Sequence, residues 1–302
     1  MTAETLLAVL GLLLAMAAGP AVALIFMLKR KRSARAARRS PLTENLLRLP
    51  GETLREQIDR VNEQADAWLA TLIFFPMLIV CLHLGQSYVF GRGQTWPRVS
   101  VAALLAIGVA VVASRKLLVL SAQLDRLRLG LDGEVAIGQE LGKVTRRGAA
   151  VFHDVPAEGF NIDHVVVATQ GVFAVETKGF SKPQGNGGTH DATVVYDGQR
   201  LVFPHFTSSA PLEQAARNAR WLSEWLTRAT GSKVAVASIV ALPGWFVDLK
   251  GRGDVGVYSG KQLAGLLDDR RASRLTEQQV RQIEYQIDQR CRTVRPTYRQ
   301  EL

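Results

Sequence analysis

The sequence predicts a mixed α/β domain that follows an apolar N-terminal third, and three observations support this class. The long hydrophobic runs lie before about residue 120. Beyond them, short β-rich runs bounded by Gly, Pro, Asn or Asp alternate with segments whose apolar residues recur at helical spacing. This order is typical of helices that pack on a sheet. The chain has 302 residues and a net charge of +10, so it can hold one ordinary domain plus additional segments.

Three hydrophobic runs are long enough to span a bilayer, at about residues 5–28, 68–90 and 99–119. The first lacks a small-residue cleavage site, which favours a retained anchor over a removed signal peptide. Lys and Arg are dense in 29–39, between the first two spans, whereas only Arg92 and Arg98 lie between the last two. By the positive-inside rule we expect a multi-pass protein of a bacterial-type plasma (inner) membrane. Its N-terminus would lie outside, and both the loop 29–66 and the C-terminal domain would lie in the cytoplasm.

The basic run 29–39 admits three interpretations. It can act as a topology determinant, bind anionic lipid at the membrane surface, or hold DNA close to that surface. Cysteine usage agrees with a reducing compartment, because Cys81 lies in a predicted span and Cys291 lies far along the chain. No disulfide framework is expected, and no Cys/His spacing resembles a zinc site.

Helical and β patterns then follow in order along the chain. Apolar residues at helical spacing predict a helix over 54–68 that leads into the second span, after a break at Pro50-Gly51. One or two helices are expected over 121–144. Period-two patterns predict a strand and then two hairpins, at 149–156, 160–179 and 193–203. The last of these turns at Asp197-Gly198.

The remaining elements alternate between helix and strand. The sequence predicts a helix over 212–229, an apolar strand over 234–242, and a strand followed by a helix over 254–267. Thr276 and Gln279 match a capping box that begins a last helix over 276–291. We therefore expect a membrane region over 1–120, a domain over 121–250, and an extension over 251–302 that packs on this domain.

The first hairpin carries three charged residues among Val, Ala and Phe, namely Asp163, Glu176 and Lys178. A two-residue loop of Thr169-Gln170 places Asp163 opposite Glu176, and a loop of Gln170-Gly171 places Asp163 opposite Lys178. In both registers the three side chains share one face, because side chains alternate along a strand.

Two interpretations of these charges stay open at this point. In one, Lys178 neutralises Glu176 in a structural ion pair. In the other, the two carboxylates hold a cation, which removes their mutual repulsion. Mg²⁺ prefers carboxylates plus waters, and it can polarise a phosphoryl group while an adjacent lysine stabilises developing charge. His164 points to the opposite face, where we expect a histidine of the core or of the layer behind the site.

Several of these phrases together resemble the nuclease-related domain (NERD) family of the PD-(D/E)XK, restriction-endonuclease-like superfamily. The resemblance covers roughly residues 125–245. It rests on Gly133-Glu134, on the hairpin phrase IDHVVVATQGVFAVETKG (162–179) and on PLEQAARNARWL (211–222). It implies a restriction-endonuclease-like mixed sheet flanked by helices, here preceded by three transmembrane helices.

The resemblance also implies roles for five residues. Asp163 and Glu176 match metal-binding carboxylates, and Glu134 matches the acidic residue that completes the metal shell. Lys178 matches the lysine that supports the attacking water. Gln214 matches a glutamine that lines the phosphate path. The implied cofactor is Mg²⁺ or Mn²⁺.

Three functional hypotheses follow. The first is a membrane-anchored, Mg²⁺-dependent hydrolase of phosphodiester bonds in nucleic acid, with DNA as the expected partner and a homodimer as an open alternative. The second is a non-catalytic, membrane-tethered module that binds nucleic acid or protein. The third is a membrane sensor in which Pro76 and His83 report to the domain. A buried Glu176–Lys178 pair would favour the second hypothesis, and an open acidic cleft flanked by basic residues would favour the first.

Overall fold

The computed structural model of the chain describes residues 25, 42–89, 91, 95–182 and 192–296. The chain divides into two compact units. Among the described residues, one unit contains 59–124. The other contains Glu44–Ile58 together with Asp125–Pro296. Residues 44–58, which the sequence places in the loop before the second span, therefore belong to the same compact unit as the α/β domain.

Two long helices cover the second and third predicted spans. Helix α1 is Glu52–Val89 and contains Pro76, and helix α2 is Trp96–Leu141. Each is long and apolar enough to cross a membrane by length and composition alone. The third predicted span and the helical segment that follows it are one continuous helix. The predicted first span and the basic run lie outside the described residues, apart from Ile25, so the described part of the chain contains two candidate spans rather than three.

A five-stranded mixed sheet forms the centre of the α/β unit, in the order β10-β8-β4-β3-β2. Its strands are β2 (Ala150–Pro156), β3 (Asn161–Ala168), β4 (Gly171–Thr177), β8 (Val236–Leu242) and β10 (Gly256–Ser259). Strands β2, β3 and β4 are antiparallel neighbours, whereas β8 pairs in parallel with both β4 and β10. The predicted mixed α/β class is therefore confirmed.

Helices cover both faces of this sheet. Helices α3 (Ala210–Thr230) and α4 (Glu277–Cys291) bury Leu222, Leu226, Ile283 and Ile287 against one face. The end of α2 and a 3-10 helix, Lys261–Asp268, bury Ile137, Leu141, Leu263 and Leu266 against the other. Both layers use apolar stripes at helical spacing, which is why the sequence predicts these segments as helices.

A second sheet adds an apolar cluster beside the first. Its order is β7-β6-β5-β9, formed by β5 (Thr193–Tyr196), β6 (Leu201–Val202), β7 (Thr207–Ser208) and β9 (Phe246–Leu249). Strands β5 and β6 are the predicted hairpin; Tyr196 pairs with Leu201, so the predicted turn residues Asp197-Gly198 are the first two of a four-residue loop, 197–200. Strand β9, which the sequence analysis does not predict, pairs in parallel with β5.

A two-stranded pair joins distant parts of the same unit. Strand β1 (Leu46–Leu47) pairs antiparallel with β11 (Arg292–Val294), directly after α4. The capping box of α4 is confirmed, since Thr276 and Gln279 each accept a bond from the other's backbone N–H. The segment before α1 is thus fixed to the end of the described chain.

Candidate active site

The first hairpin has the first of the two predicted registers. Ala168 pairs with Gly171, so Thr169 and Gln170 form the turn. Continuing this register by one residue beyond the His164–Val175 pair places Asp163 across from Glu176. Asp163 is buried, and its Oδ2 accepts a 2.7 Å hydrogen bond from the backbone N–H of Thr177. The two carboxylates therefore converge on one face at the end of the hairpin.

Lys178 completes the predicted charged group. Its Nζ lies 2.8 Å from Oε1 of Glu176. Its backbone N–H donates to the carbonyl of Ala241, which continues the parallel pairing of β4 with β8 beyond the end of the strand. The lysine side chain is 29% exposed, whereas the side chain of Glu176 is 3% exposed. In this ion pair the carboxylate of Glu176 is therefore buried, and the ammonium group of Lys178 lies toward solvent.

Helix α3 supplies a partner that sequence reasoning missed. Asn218 is buried, and its Nδ2 donates a 2.8 Å hydrogen bond to Oε2 of Glu176. Gln214, the residue of this helix that was predicted to line the phosphate path, lies one turn earlier and is half-buried. Among the described residues, no hydrogen bond joins Gln214 to the acidic group. The spacing of four between Gln214 and Asn218 was the available signal, because such residues share one face of a helix.

Helix α2 brings Glu134 to the same group of acids through a close backbone approach. A Cβ at Gly133 would lie 3.5 Å from the Cα of Gly179, and a Cβ at Gly179 would lie 2.8 Å from the carbonyl oxygen of Leu129. Gly179 therefore allows the helix to pass directly over the end of β4, whereas a Cβ at Gly133 would make only ordinary van der Waals contacts. Glu134 is buried, and its Oε2 has no hydrogen-bond partner within the described part of the chain.

Burial disfavours the charge of all three carboxyl groups, and the charge of Glu176 further disfavours ionisation of Glu134 and Asp163. Burial, together with the charges of Asp154 and Glu176, raises the pKa of Glu134 to about 7. Burial and the charges of Glu176 and Glu134 raise the pKa of Asp163. Burial also raises the pKa of Glu176, against the lowering effects of Lys178, Arg217 and Asn218. The structure therefore brings Glu134, Asp163, Glu176 and Lys178 into one electrostatically coupled site.

The donor set of this site is suited to a hard divalent cation. It consists of carboxylate oxygens, which Mg²⁺ and Mn²⁺ prefer, and it includes the unpartnered oxygen of Glu134. A cation would also relieve the repulsion that helps to raise the pKa of Glu134 and the pKa of Asp163. Over the described ranges, no group of three His, Cys, Asp or Glu side chains is spaced as a ready-made metal site. One or two of these carboxylates plus water would therefore form the initial ligand set, as is common for Mg²⁺.

A second buried acid lies close to the site. Asp154 has a positive φ of 48° and is fully buried. Its Oδ2 accepts hydrogen bonds from Nε of Arg48 at 2.6 Å and from the backbone N–H of Thr53 at 2.9 Å, and Asn161 donates to its Oδ1. Thr53 lies in the first turn of α1, so Asp154 caps the N-terminus of this helix although it lies far away in sequence, on strand β2. The only sequence signal was an acidic residue within an otherwise apolar strand.

The two strand histidines lie behind the acids. Nδ1 of His153 and Nδ1 of His164 are 2.9 Å apart. His164 is fully buried, as a core histidine should be, and its pKa is held well below its usual value by burial and by the neighbouring His153. Burial also lowers the pKa of His153 to about 4, so both rings are neutral near pH 7 and add no positive charge beside Asp163.

Family comparison gives a match over the part of the chain that carries these residues. Residues 129–243 match the family model described as the nuclease-related domain (NERD). No curated protein and no solved structure matches the chain. The matched range includes Glu134, Asp163, Glu176, Lys178 and Asn218, and so contains the whole electrostatically coupled site. Residues 129–243 of this chain, with the site at their centre, are therefore similar to the nuclease-related domain.

Proposed function

We propose that the chain is a membrane-anchored nuclease that hydrolyses phosphodiester bonds in DNA with the help of Mg²⁺ or Mn²⁺. The observation that carries this proposal is the convergence of three coupled carboxyl groups and Lys178 at the end of β4. The match to the nuclease-related domain and the predicted PD-(D/E)XK arrangement of Asp163, Glu176 and Lys178 agree with it. Two apolar helices, α1 and α2, provide the proposed attachment to a bacterial-type inner membrane.

Each residue has a distinct role in this proposal. Asp163 and Glu176 would hold the metal ion, and Glu134 would supply a further carboxylate oxygen. The bound ion would polarise the phosphoryl group and acidify a water molecule. Lys178 would orient this water and stabilise the charge that develops on phosphate oxygens as the phosphorus–oxygen bond breaks. Asn218 holds one oxygen of Glu176 in place, which leaves the other to Lys178 or to the ion.

Three further elements belong to the proposal through sequence and composition. The N-terminus would lie outside the cell and the α/β unit in the cytoplasm, where DNA at the inner membrane surface is the substrate. The basic run 29–39 would set this topology, and it could bind anionic lipid. A homodimer would be compatible with this arrangement.

The experiment is a cleavage assay on the full chain in detergent or nanodiscs. The full chain is needed because a fragment that begins near residue 121 lacks Arg48 and Thr53, which bind Asp154. Plasmid, linear and single-stranded DNA, with RNA alongside, would be incubated with Mg²⁺ and then with Mn²⁺. We expect cleavage of DNA that falls at least about 100-fold in Asp163→Asn and in Lys178→Met.

Lys233→Gln is the matched control, because Lys233 is exposed and lies outside the site. A thermal shift gives an independent readout, since Mg²⁺ that binds the folded site should raise the melting temperature of the wild type but not of Asp163→Asn. Unchanged cleavage in Asp163→Asn would show that the activity does not come from this site.

A second candidate function is a non-catalytic, membrane-tethered module that binds nucleic acid or protein. The burial of Glu176 favours it, because a structural ion pair would likewise keep the carboxylate in the interior and neutralise it with Lys178. It predicts binding of DNA without cleavage and without a thermal shift in Mg²⁺. Cleavage lost in Asp163→Asn would exclude it.

A further inference from the structure

A cavity of about 610 Å³ lies in the α/β unit, away from the proposed catalytic residues. It is lined by β9 and the loop that follows it, by β10, and by Tyr196 and Arg271. None of the residues of the coupled carboxylate site lines it. Most of its wall follows residue 243 and thus lies beyond the match to the nuclease-related domain. Its volume falls in the range that holds small-molecule ligands.

The charged side chains that line this cavity are all cationic: Lys250, Arg252 and Arg271. Two of them have acidic partners that do not line it. Lys250 Nζ lies 3.1 Å from Asp248, and Arg271 Nη1 lies 2.8 Å from Asp269. Arg252 is exposed, and it has no ion-pair partner among the described residues. The lining of the cavity is therefore positively charged. Of its three cationic side chains, Arg252 is the one without an acidic partner among the described residues.

The cationic loop is fixed by its own glycines. The backbone N–H groups of Lys250 and Gly251 both donate to the carbonyl of Tyr196. A Cβ at Gly251 would overlap the carbonyl oxygen of Asp197, and a Cβ at Gly253 would overlap the hydroxyl of Tyr196. Only glycine permits this packing against the β5–β6 turn. The sequence Lys-Gly-Arg-Gly therefore holds two cations on a closely packed loop, which lowers the entropy cost of binding an anion.

Another part of the lining combines an aromatic ring, Tyr258, with the guanidinium group of Arg271. Tyr258 Oη donates to Asp269 at 2.6 Å, and Arg271 binds the same carboxylate with Nη1. Arg271 also donates from Nε to the carbonyl of Gly253, so its side chain is in direct contact with the cationic loop. Tyrosine rings suit the planar face of a base, and arginine suits the oxygens of a phosphate.

From this combination we infer that the cavity binds the phosphate of a nucleotide, with Arg252 and Lys250 on the phosphate oxygens and the half-buried ring of Tyr258 beside the base. The phosphate can belong to a free nucleotide or to the 5′ end of a DNA strand. This inference does not rest on the proposed nuclease function, because it uses different residues and a different readout.

The test measures binding to the full chain in detergent with EDTA present, which prevents metal-dependent cleavage. The probes are a fluorescent deoxyadenosine diphosphate and a short fluorescent oligonucleotide with either a 5′ phosphate or a 5′ hydroxyl. Inorganic pyrophosphate serves as the competitor. We expect pyrophosphate to displace a bound probe, and Arg252→Gln to weaken binding about tenfold, the loss typical of one charge-assisted contact.

Two variants separate this cavity from other cationic or acidic surfaces. Lys233→Gln removes an exposed lysine that does not line the cavity, and Glu158→Gln removes an exposed acid that does not line it either; we expect both to bind like the wild type. Binding of the diphosphate identifies a free nucleotide, and binding of only the 5′-phosphorylated oligonucleotide identifies a strand end. The inference is overturned if neither probe binds, if the 5′ hydroxyl oligonucleotide binds equally well, or if Arg252→Gln leaves affinity unchanged.

Discussion

Glu134 is an acid in a place where its charge is disfavoured. Burial and two neighbouring acids raise its pKa to about 7, compared with 4.5 for an ordinary glutamate. It lies about four helical turns beyond the predicted end of the third span, within the α/β unit. Because the folded protein holds this proton more tightly than the unfolded chain, Glu134 makes stability depend on pH.

The expected dependence has a definite sign. The protonated Glu134 contributes its full stabilisation below about pH 4.5, and this contribution is lost as the pH rises through 7. Between these two pH values the glutamate is ionised in the unfolded chain but still protonated in the folded protein. The loss amounts to about 3 kcal/mol. We predict that Glu134→Gln flattens this part of the profile, as measured by thermal denaturation of the full chain between pH 4.5 and 8.

Glu158→Gln is the control for this measurement, because Glu158 is exposed. Its profile should follow that of the wild type. A wild-type profile that rises between pH 4.5 and 7, or one that Glu134→Gln leaves unchanged, would contradict the assignment.

Asn218 holds the inner oxygen of Glu176. We predict that Asn218→Ala lowers the free energy of unfolding by about 1–3 kcal/mol, because a buried carboxylate oxygen then loses its donor. Denaturant unfolding of the full chain in detergent measures the change. Arg220→Ala, at an exposed position on the same helix, should change stability by less than about 0.5 kcal/mol. Equal effects of the two substitutions would argue against a specific role for Asn218.

At the scale of whole elements, Asp154 connects three separate parts of the chain. It binds Arg48 before α1, Thr53 in the first turn of α1, and Asn161 at the start of β3. Its positive φ suits Asp and Asn better than most other residues. Substitution by Asn therefore removes the charge without adding backbone strain.

We predict that Asp154→Asn lowers the free energy of unfolding by about 3 kcal/mol, because Arg48 keeps a largely buried guanidinium without a counter-charge. Hydrogen exchange should locate the loosening at 44–58 and at β11, whose Thr293 also accepts a bond from Arg48. The comparison is Asp268→Asn, which breaks the exposed pair with Arg147 and should cost less than about 1 kcal/mol. A uniform change in exchange across the domain would count against this local role.

The elements differ in how far the sequence determines them. The hairpin of β3 and β4 was predictable because alternation fixes which side chains share a face, and only the choice between two loops needed the structure. The capping box of α4 was predictable from two residues. Strands β1 and β11 are two and three residues long and pair only with each other, so neither has a pattern of its own.

The same distinction applies to the site. Asp163, Glu176 and Lys178 were predictable because they are neighbours on one hairpin. Asn218 and Asp154 act across elements, and their partners depend on how α3 and α1 pack. Periodicity gives the buried face of a helix, but it does not tell which polar residue on that face meets an acid.

At the scale of the whole molecule, the proposed membrane topology can be tested by thiol labelling. The native Cys291 can be left in place, because it is buried and burial raises the pKa of its thiol to about 12, so it should react little with the label. In a Cys81→Ser chain, we predict that an impermeant maleimide labels Thr95→Cys in intact cells. Gln282→Cys, at an exposed position of α4, should react only after permeabilisation.

The reverse pattern would invert the orientation that the positive-inside rule predicts. Release of the protein from membranes by alkaline carbonate would contradict insertion of α1 and α2. The unsubstituted Cys81→Ser chain is the baseline for both labelling conditions.

The α/β unit is also discontinuous along the chain, and this matters for how it is made. Asn45 of the first piece donates to the carbonyl of Arg292, and the two residues are 247 positions apart. A ribosome adds about 5–20 residues per second, so the first piece leaves the exit tunnel on the order of ten seconds or more before its partner strand exists. Throughout that interval Leu46 and Leu47 lack their strand partner, and Arg48 lacks the acid of β2 until Asp154 has been synthesised. The unit therefore closes late during biosynthesis, only after β11 has left the ribosome.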